Sequence, residues 1–261
     1  MENLIRECYL HPAGPGRLPP ELSGNSGTVV CVSPHAGYEY SGPVASHSYL
    51  HVSSLRDPEL IVIVAPNHHG VGSSASTFKD GAWKTPMGSM KVDSTAASEL
   101  VETSGIVDFD PESQRMEHAL EVQLPFLQCL YGNSVPFLPI SLLFQDIGTA
   151  TTIGESVARI LKGRRSVLVA SSDLTHYEPE GVARKKDIAL LEQVVRMDLD
   201  GFYSTLESLR VSACGFGPIA AVMVAARLLG KTKGELLKYS TSGDTGGDRT
   251  QVVGYGSLRL V

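Results

Sequence analysis

The apolar run from Leu60 to Ala65 constrains the fold of this chain more than any other stretch. Its residues, Leu-Ile-Val-Ile-Val-Ala, are mostly β-branched, which is typical of a strand buried on both faces of a parallel sheet. Pro66 cannot donate a backbone hydrogen bond, so we expect the strand to end there. The residues from Asn67 to Gly70 then lie at the carboxyl end of a strand, where open α/β sheets bind ligands.

Runs of the same kind recur and alternate with helical patterns. We predict further strands at residues 28–32, 135–143, 166–170, 235–240 and 252–260. Helices are predicted at residues 43–55, 94–104, 149–162, 179–197, 202–209 and 219–229. This alternation indicates a single α/β domain over residues 1–261, with a central mixed, largely parallel sheet and helices on both faces. Residues 1–26, rich in proline and glycine, are predicted to form an irregular N-terminal arm.

Composition narrows the possible partners and compartment. The chain has 261 residues and a net charge of −6, without an evident basic patch, so we expect no nucleic-acid partner and no membrane-surface partner. No apolar run reaches membrane-spanning length. The four cysteines form neither a CxxC pair nor a zinc-ribbon spacing, and residues 1–20 do not resemble a secretory signal. We therefore expect reduced thiols and a cytoplasmic protein.

Polar, titratable residues follow three of the predicted strands. His35 follows the first of them, and the pair His68–His69 follows the central one. Asp173 and His176 follow the third. If these strands are parallel, their loops meet at one edge of the sheet. Cys214 lies in a glycine-flanked turn at a predicted helix start, which lowers the pKa of a thiol, and histidine with cysteine suits iron, copper or zinc.

Each of these residues also has a simpler interpretation. Adjacent imidazoles tend to point apart, so one member of the histidine pair is expected to be an ordinary loop residue. Cys214 is also consistent with a small buried apolar residue, and Asp173 with a cap for the turn after its strand. His118 is consistent with a helix-surface residue paired with Glu121. The prediction of a site therefore depends on the convergence of the loops and not on any single residue.

Five motifs in the chain resemble those of one known family. They are Pro34-His-Ala-Gly-Tyr-x-Tyr-Ser-Gly42, Pro66-Asn-His-His-Gly70, Glu117-His-Ala-Leu-Glu121, Ser171-Ser-Asp-Leu-Thr-His176 and Cys214-Gly215. In this order, and over nearly the whole chain, they resemble the Memo family, whose prokaryotic members are called protein B of the AmmeMemoRadiSam system. That family is similar to the class III extradiol ring-cleavage dioxygenases of the LigB type, which implies a LigB-dioxygenase-like α/β fold around a mixed sheet.

The resemblance also implies a metal and the residues around it. The metal would be iron or copper, with zinc as a further alternative, and its implied ligands are His35, His69 and Cys214. Asp173 and His176 would line the same pocket, and His118 would lie close by. We expect these three to be the catalytic residues, with His176 able to act as a base.

The implied function is a metal-binding protein with a redox or oxygen-dependent role, beside a radical-SAM protein and an AMMECR-type companion. An active dioxygenase on a small aromatic substrate is one alternative. Against it, cysteine stands where the ring-cleaving enzymes use a carboxylate, which changes the charge and redox behaviour of the metal. A protein- or peptide-binding module with a vestigial pocket is another alternative, and a zinc hydrolase is a weaker one. As for the oligomeric state, the assembly that we consider for this chain is a homodimer.

Overall fold

The computed structural model describes residues 1–22, 24 and 27–261. Its strands are β1 (Thr28–Ser33), β2 (Leu60–Pro66), β3 (Ala75–Thr77), β4 (Ala82–Thr85), β5 (Gly88–Lys91), β6 (Asp108–Phe109), β7 (Phe137–Leu142), β8 (Ser166–Ser171), β9 (His176–Glu178), β10 (Gly234–Thr241) and β11 (Val252–Leu260). Its α-helices are α1 (Glu2–Leu10), α2 (Gly42–Val52), α3 (Ser94–Ser104), α4 (His118–Glu121), α5 (Leu124–Tyr131), α6 (Ile147–Leu161), α7 (Glu180–Arg196), α8 (Leu199–Leu209), α9 (Phe216–Leu228) and α10 (Ser242–Gly246).

In the part of the chain that the structure describes, nine strands form one mixed sheet. Eight of them follow the order β10-β11-β1-β8-β2-β7-β3-β6, and β9 pairs with β11. The central strands β1, β8, β2 and β7 are parallel to one another, whereas β11 is antiparallel to β1 and β3 is antiparallel to β7. The prediction of a mixed, largely parallel sheet in a single α/β domain is therefore confirmed.

The four parallel strands are buried along their whole length, as the apolar run at β2 predicted. Helix α9 packs against β1, β2 and β8, with α6 packed against α9. Helix α2 packs against β1, β10 and β11, with α1 packed against α2. Because these strands are covered on both faces, the two helix groups lie on opposite sides of the sheet. Each fully buried aliphatic side chain of the sheet contributes about 1.5–3 kcal/mol to stability.

The N-terminal segment differs from the sequence-based prediction. Residues 1–26 were expected to be an irregular arm, but Glu2–Leu10 forms helix α1. Its buried residues, Ile5, Cys8 and Tyr9, recur at helical spacing and pack into the core. The proline- and glycine-rich stretch begins only after this helix, and residues 23, 25 and 26 of the expected arm lie outside the described residues.

Three local features of the fold follow from glycine and proline. The glycine-rich stretch around Trp83 forms the β4–β5 hairpin, and Gly105 ends α3 in a left-handed conformation with φ 65°. Pro125 separates α4 from α5, where it occupies the first turn of the second helix. No helix among the described residues is long and apolar enough to cross a membrane.

Candidate metal centre

Three histidines lie together beyond the carboxyl ends of the parallel strands. His35 follows β1, His68 follows β2, and His118 begins α4. One ring nitrogen of each lies within 4.8 Å of those of the other two. The rings of His68 and His118 are stacked with centroids 5.0 Å apart, and the His35 ring meets both edge to face at 5.2 and 5.6 Å.

The tautomer of His35 follows from its hydrogen bonds. The Ser171 hydroxyl donates its one proton to the carbonyl oxygen of Ala119 (2.7 Å) and accepts from Nε2 of Gln123 (2.8 Å). Nδ1 of His35, 2.9 Å from the same hydroxyl oxygen, must therefore be the donor in that contact. Nε2 of His35 is then the acceptor nitrogen, and it lies 3.2 Å from the sulfur of Cys214, whose thiol can donate to it.

His35 is also kept neutral by its surroundings. It is buried, and burial lowers the pKa of its imidazole well below the ordinary value. The neighbouring imidazoles of His68 and His118 lower that pKa further. A neutral imidazole with a free Nε2 is the form that binds a metal ion.

His68 is oriented by a buried carboxylate. Oε2 of Glu117 accepts from the backbone N–H of His68 (2.7 Å), and Oε1 lies 2.9 Å from its Nδ1. Burial raises the pKa of Glu117, but hydrogen bonds from His68 and from the backbone N–H of Ala119 outweigh this and lower it to about 2. Glu117 is thus an acceptor only, so His68 donates from Nδ1 and keeps Nε2 free.

His118 completes the group at its exposed side. Its side chain is 54% exposed, and its Nδ1 lies 3.5 Å from the same Glu117 oxygen that contacts His68. One carboxylate therefore lies against two of the three imidazoles. A carboxylate behind a histidine is the arrangement that fixes ring orientation and raises ligand basicity in metal sites.

Cys214 lies beside His35 but outside the group of three imidazoles. Its sulfur accepts from the backbone N–H of Asp173 at 3.3 Å. Burial, and then the charge of Asp173, raise the pKa of this thiol. The expectation that the helix start lowers that pKa is wrong, because burial outweighs the hydrogen bonds from the backbone and from Ser172 that lower it.

Comparison with known proteins identifies the family. A family model described as Memo-like protein matches residues 1–259. The chain belongs to the Memo family. It is 44% identical over 260 residues to the MEMO1 family protein MK0963 of Methanopyrus kandleri, covering 99% of this chain and 92% of that protein. It is 45% identical over 261 residues to a MEMO1 family protein of Nitrosopumilus maritimus, covering 100% of this chain and 94% of that protein.

A solved structure shares the fold of this Memo-family chain. It is the crystal structure of an uncharacterized protein, JW3007, from Escherichia coli K12. The TM-score is 0.59, with 15% sequence identity, over 89% of this chain and 99% of that one. At this identity the likeness extends to the fold alone.

In this Memo-family chain, one histidine of the adjacent pair belongs to the group of three imidazoles, and it is His68 rather than the expected His69. His69 was the expected metal ligand, but its Nε2 lies 2.9 Å from the carbonyl oxygen of Met116, and the structure does not bring it into the group. His68 occupies that place. The physical reason is that neighbouring side chains in a turn diverge, and Glu117 pairs with the first of the two.

The other residues expected at the site of this Memo-family chain lie in different positions relative to the three histidines. Asp173 is buried, and its Oδ1 accepts from the backbone N–H of His35 (2.8 Å); burial raises its pKa. Nδ1 of His176 lies 3.0 Å from the carbonyl oxygen of Ser212, which fixes a proton on Nδ1. His118, expected only nearby, is a full member of the group.

Two residues of the site were missed by reasoning from sequence. Glu117 and Ser171 each lie within one of the motifs, but the motifs alone assign no role to either. The position of Glu117, directly before His118 and at the N-cap of α4, was the available signal. No local pattern indicated Ser171, because its partners, His35 and the short stretch that holds Ala119 and Gln123, lie far from it in the chain.

Proposed function

We propose that this Memo-family protein binds a transition-metal ion at His35, His68 and His118 and that the ion serves a redox or oxygen-dependent reaction. The observation that carries the proposal is the group of three imidazoles whose ring nitrogens lie within 4.8 Å of one another. Two of these rings have Nδ1 engaged as a donor, which leaves Nε2 available.

The histidine rings must move closer together before they can share an ion. Metal–nitrogen bonds of about 2.0–2.1 Å place three nitrogens that share one ion about 3–3.6 Å apart. The ring nitrogens lie within 4.8 Å of one another, so an inward shift of up to about 1 Å brings them into range. His118 has the most exposed side chain of the three, at 54%, and therefore has the most room to make that shift.

Cys214 is the proposed fourth ligand. Its sulfur lies 3.2 Å from Nε2 of His35, a separation that two ligands of one ion adopt when the metal–sulfur distance is about 2.3 Å. Binding would remove the thiol proton, since the thiolate is the ligand form. Imidazoles with a thiolate suit iron, copper or zinc, and we propose iron first.

The remaining polar residues of the pocket have supporting roles. Asp173, whose pKa is raised by burial, is placed to hold a proton beside His35. His176 presents Nε2 as the acceptor nitrogen, because its Nδ1 is engaged by Ser212. When bound, the ion would supply redox chemistry, while these two residues would move protons at the pocket.

Metal analysis of untagged protein tests the proposal. We expect iron to copurify with, or load anaerobically into, the parent protein and His69→Ala, and to be lost from His68→Ala. The two variants form a matched pair, because they remove adjacent imidazoles of which only one belongs to the group. Equal metal content in His68→Ala and the parent would refute the site, and copper or zinc in place of iron would correct the metal.

A further inference from the structure

Two side chains hold the turn that carries Cys214: the hydroxyl of Ser172, which accepts from the backbone N–H of Gly215 (2.9 Å), and Gln145 from a neighbouring loop. Gln145 lies in the loop between β7 and α6. Its Nε2 donates to the carbonyl oxygen of Cys214 (2.9 Å), and its Oε1 accepts from the backbone N–H of Gly217 (2.8 Å). Both ends of one amide are thus used to hold the first turn of α9.

The Gln145 side chain, which we call the clamp, is itself fixed in place. The hydroxyl of Tyr203, from α8, donates to the carbonyl oxygen of Gln145 at 2.8 Å. The next residue, Asp146, caps α6 by accepting from the backbone N–H groups of Gly148 (2.9 Å) and Thr149 (3.0 Å). The side-chain amide of Gln145 is therefore already in position to bond the Cys214 turn.

Two glycines allow the turn to approach so closely. A Cβ at Gly217 would lie 2.7 Å from the Cβ of Gln145, so only glycine leaves room for the amide. A Cβ at Gly215 would collide with the carbonyl oxygen of Ser171 and lie 2.7 Å from the Cβ of Ser172. The turn is therefore held between the clamp on one side and the end of β8 on the other.

We propose that Gln145 is a positioning residue for Cys214. Its amide keeps the Cys214 sulfur 3.2 Å from Nε2 of His35, where thiol and imidazole face the same ion. The inference rests on the proposed function, because a bound ion gives this placement its chemical use. Without the clamp the three histidines still bind, but the sulfur leaves the site.

The first test measures the thiol in metal-free protein. In a Cys129→Ser background, which removes the exposed thiol, alkylation of Cys214 by iodoacetamide is followed by mass spectrometry. Gln145→Met, of similar length but without hydrogen-bonding groups, is expected to raise the rate about tenfold, equivalent to about 1.4 kcal/mol in the free energy of local opening. Gln193→Met, the same change on helix α7, is the matched control and should leave the rate unchanged. An unchanged rate in Gln145→Met overturns the proposal.

Folding is checked in the same experiment. Cys31 is fully buried in β1, so its alkylation reports global unfolding and not a local change at Cys214. If Gln145→Met exposes Cys31, Gln145→Glu replaces it, because glutamate keeps the acceptor for Gly217 and removes only the donor to Cys214. A rise at Cys214 without a rise at Cys31 supports the proposal, and equal rates for parent and Gln145→Glu refute it.

The second test uses Co²⁺ as a probe of the sulfur. The cobalt-loaded parent is expected to show a near-ultraviolet thiolate-to-metal band that Gln145→Met loses while retaining bound cobalt. An equal band in both proteins, or a cobalt-bound parent without the band, overturns the inference. Failure of the parent to bind cobalt counts against the metal site, whereas the alkylation rates still decide whether Gln145 holds the turn.

Discussion

Glu117 contacts His68 twice, at the backbone N–H (2.7 Å) and at Nδ1 of the ring (2.9 Å), although 49 positions separate the two residues in the chain. This pair orients the one imidazole of the His68–His69 turn that belongs to the group of three histidines. The carboxylate also lies 3.5 Å from Nδ1 of His118. Its charge therefore reaches two of the three proposed ligands.

Glu117→Gln is expected to weaken metal binding about 10- to 100-fold, the usual effect of removing a carboxylate behind a metal-bound histidine. The amide has nearly the shape of the carboxylate but carries no charge, so the rings lose basicity. Competition with a chromophoric chelator would measure the affinity for Zn²⁺ or Co²⁺. Glu121→Gln, on the same short helix, is the control and should bind as the parent does. Parental affinity in Glu117→Gln would show that the carboxylate does not tune the site.

Ser171→Ala is expected to lower both stability and metal affinity. It removes the acceptor that fixes the His35 tautomer and leaves Gln123 and Ala119 with unpaired buried groups, at a cost of about 1–3 kcal/mol. Ser166→Ala, at the other end of β8, removes a buried hydroxyl contact with Thr28 (2.8 Å) and should lower stability alone. Urea denaturation with metal titration separates the two effects. Equal metal affinities in both variants would argue against the tautomer assignment.

His51 is expected to make the protein less stable in acid. Burial, with help from Arg259 and Lys231, lowers the pKa of this α2 residue to about 4, from an ordinary value of about 6.5. Between these values the unfolded chain binds more protons, so the free energy of unfolding rises with pH by at most about 1.4 kcal/mol per unit from this group. The contribution is complete above about pH 6.5 and is lost as the pH falls to about 4.

The His51→Gln variant tests this pH dependence. Denaturation curves collected from pH 4 to 7 should show a shallower rise of unfolding free energy with pH than in the parent. His35, whose pKa is also lowered, titrates in both proteins, so the difference between the two curves isolates His51. Parallel curves would mean that His51 does not titrate differently on folding.

Gly254→Ala is expected to destabilise the protein by roughly 2–4 kcal/mol, because the added Cβ would collide with the buried carboxylate of Asp187. That carboxylate accepts from the backbone N–H of Thr175 (3.0 Å) and the hydroxyl of Tyr239 (2.7 Å), so it has little room to move. Gly181→Ala in α7 meets no atom within 4 Å and should stabilise by about 0.5–1 kcal/mol. Thermal denaturation would measure the stability of both variants. A Gly254→Ala protein as stable as the parent would contradict the tight packing of Asp187.

Much of this architecture could be predicted from local pattern. Apolar runs such as Leu60–Pro66 read as buried parallel strands because every side chain in them is apolar, and that property is independent of distant partners. The N-terminal helix was missed because the prolines and glycines that follow Leu10 outweighed a short helical pattern. The motifs identified the family for the same reason, since they depend only on residue identity and order.

The sequence by itself determined the long strands of the sheet, the polar residues at their carboxyl ends and the membership of the Memo family. Only the tertiary structure decided that His68, and not His69, faces His35 and His118, and that burial raises the pKa of the Cys214 thiol. The reason is physical. The direction of a side chain in a turn and the protonation of a buried group depend on partners, such as Glu117 and Asp173, that folding brings from distant positions.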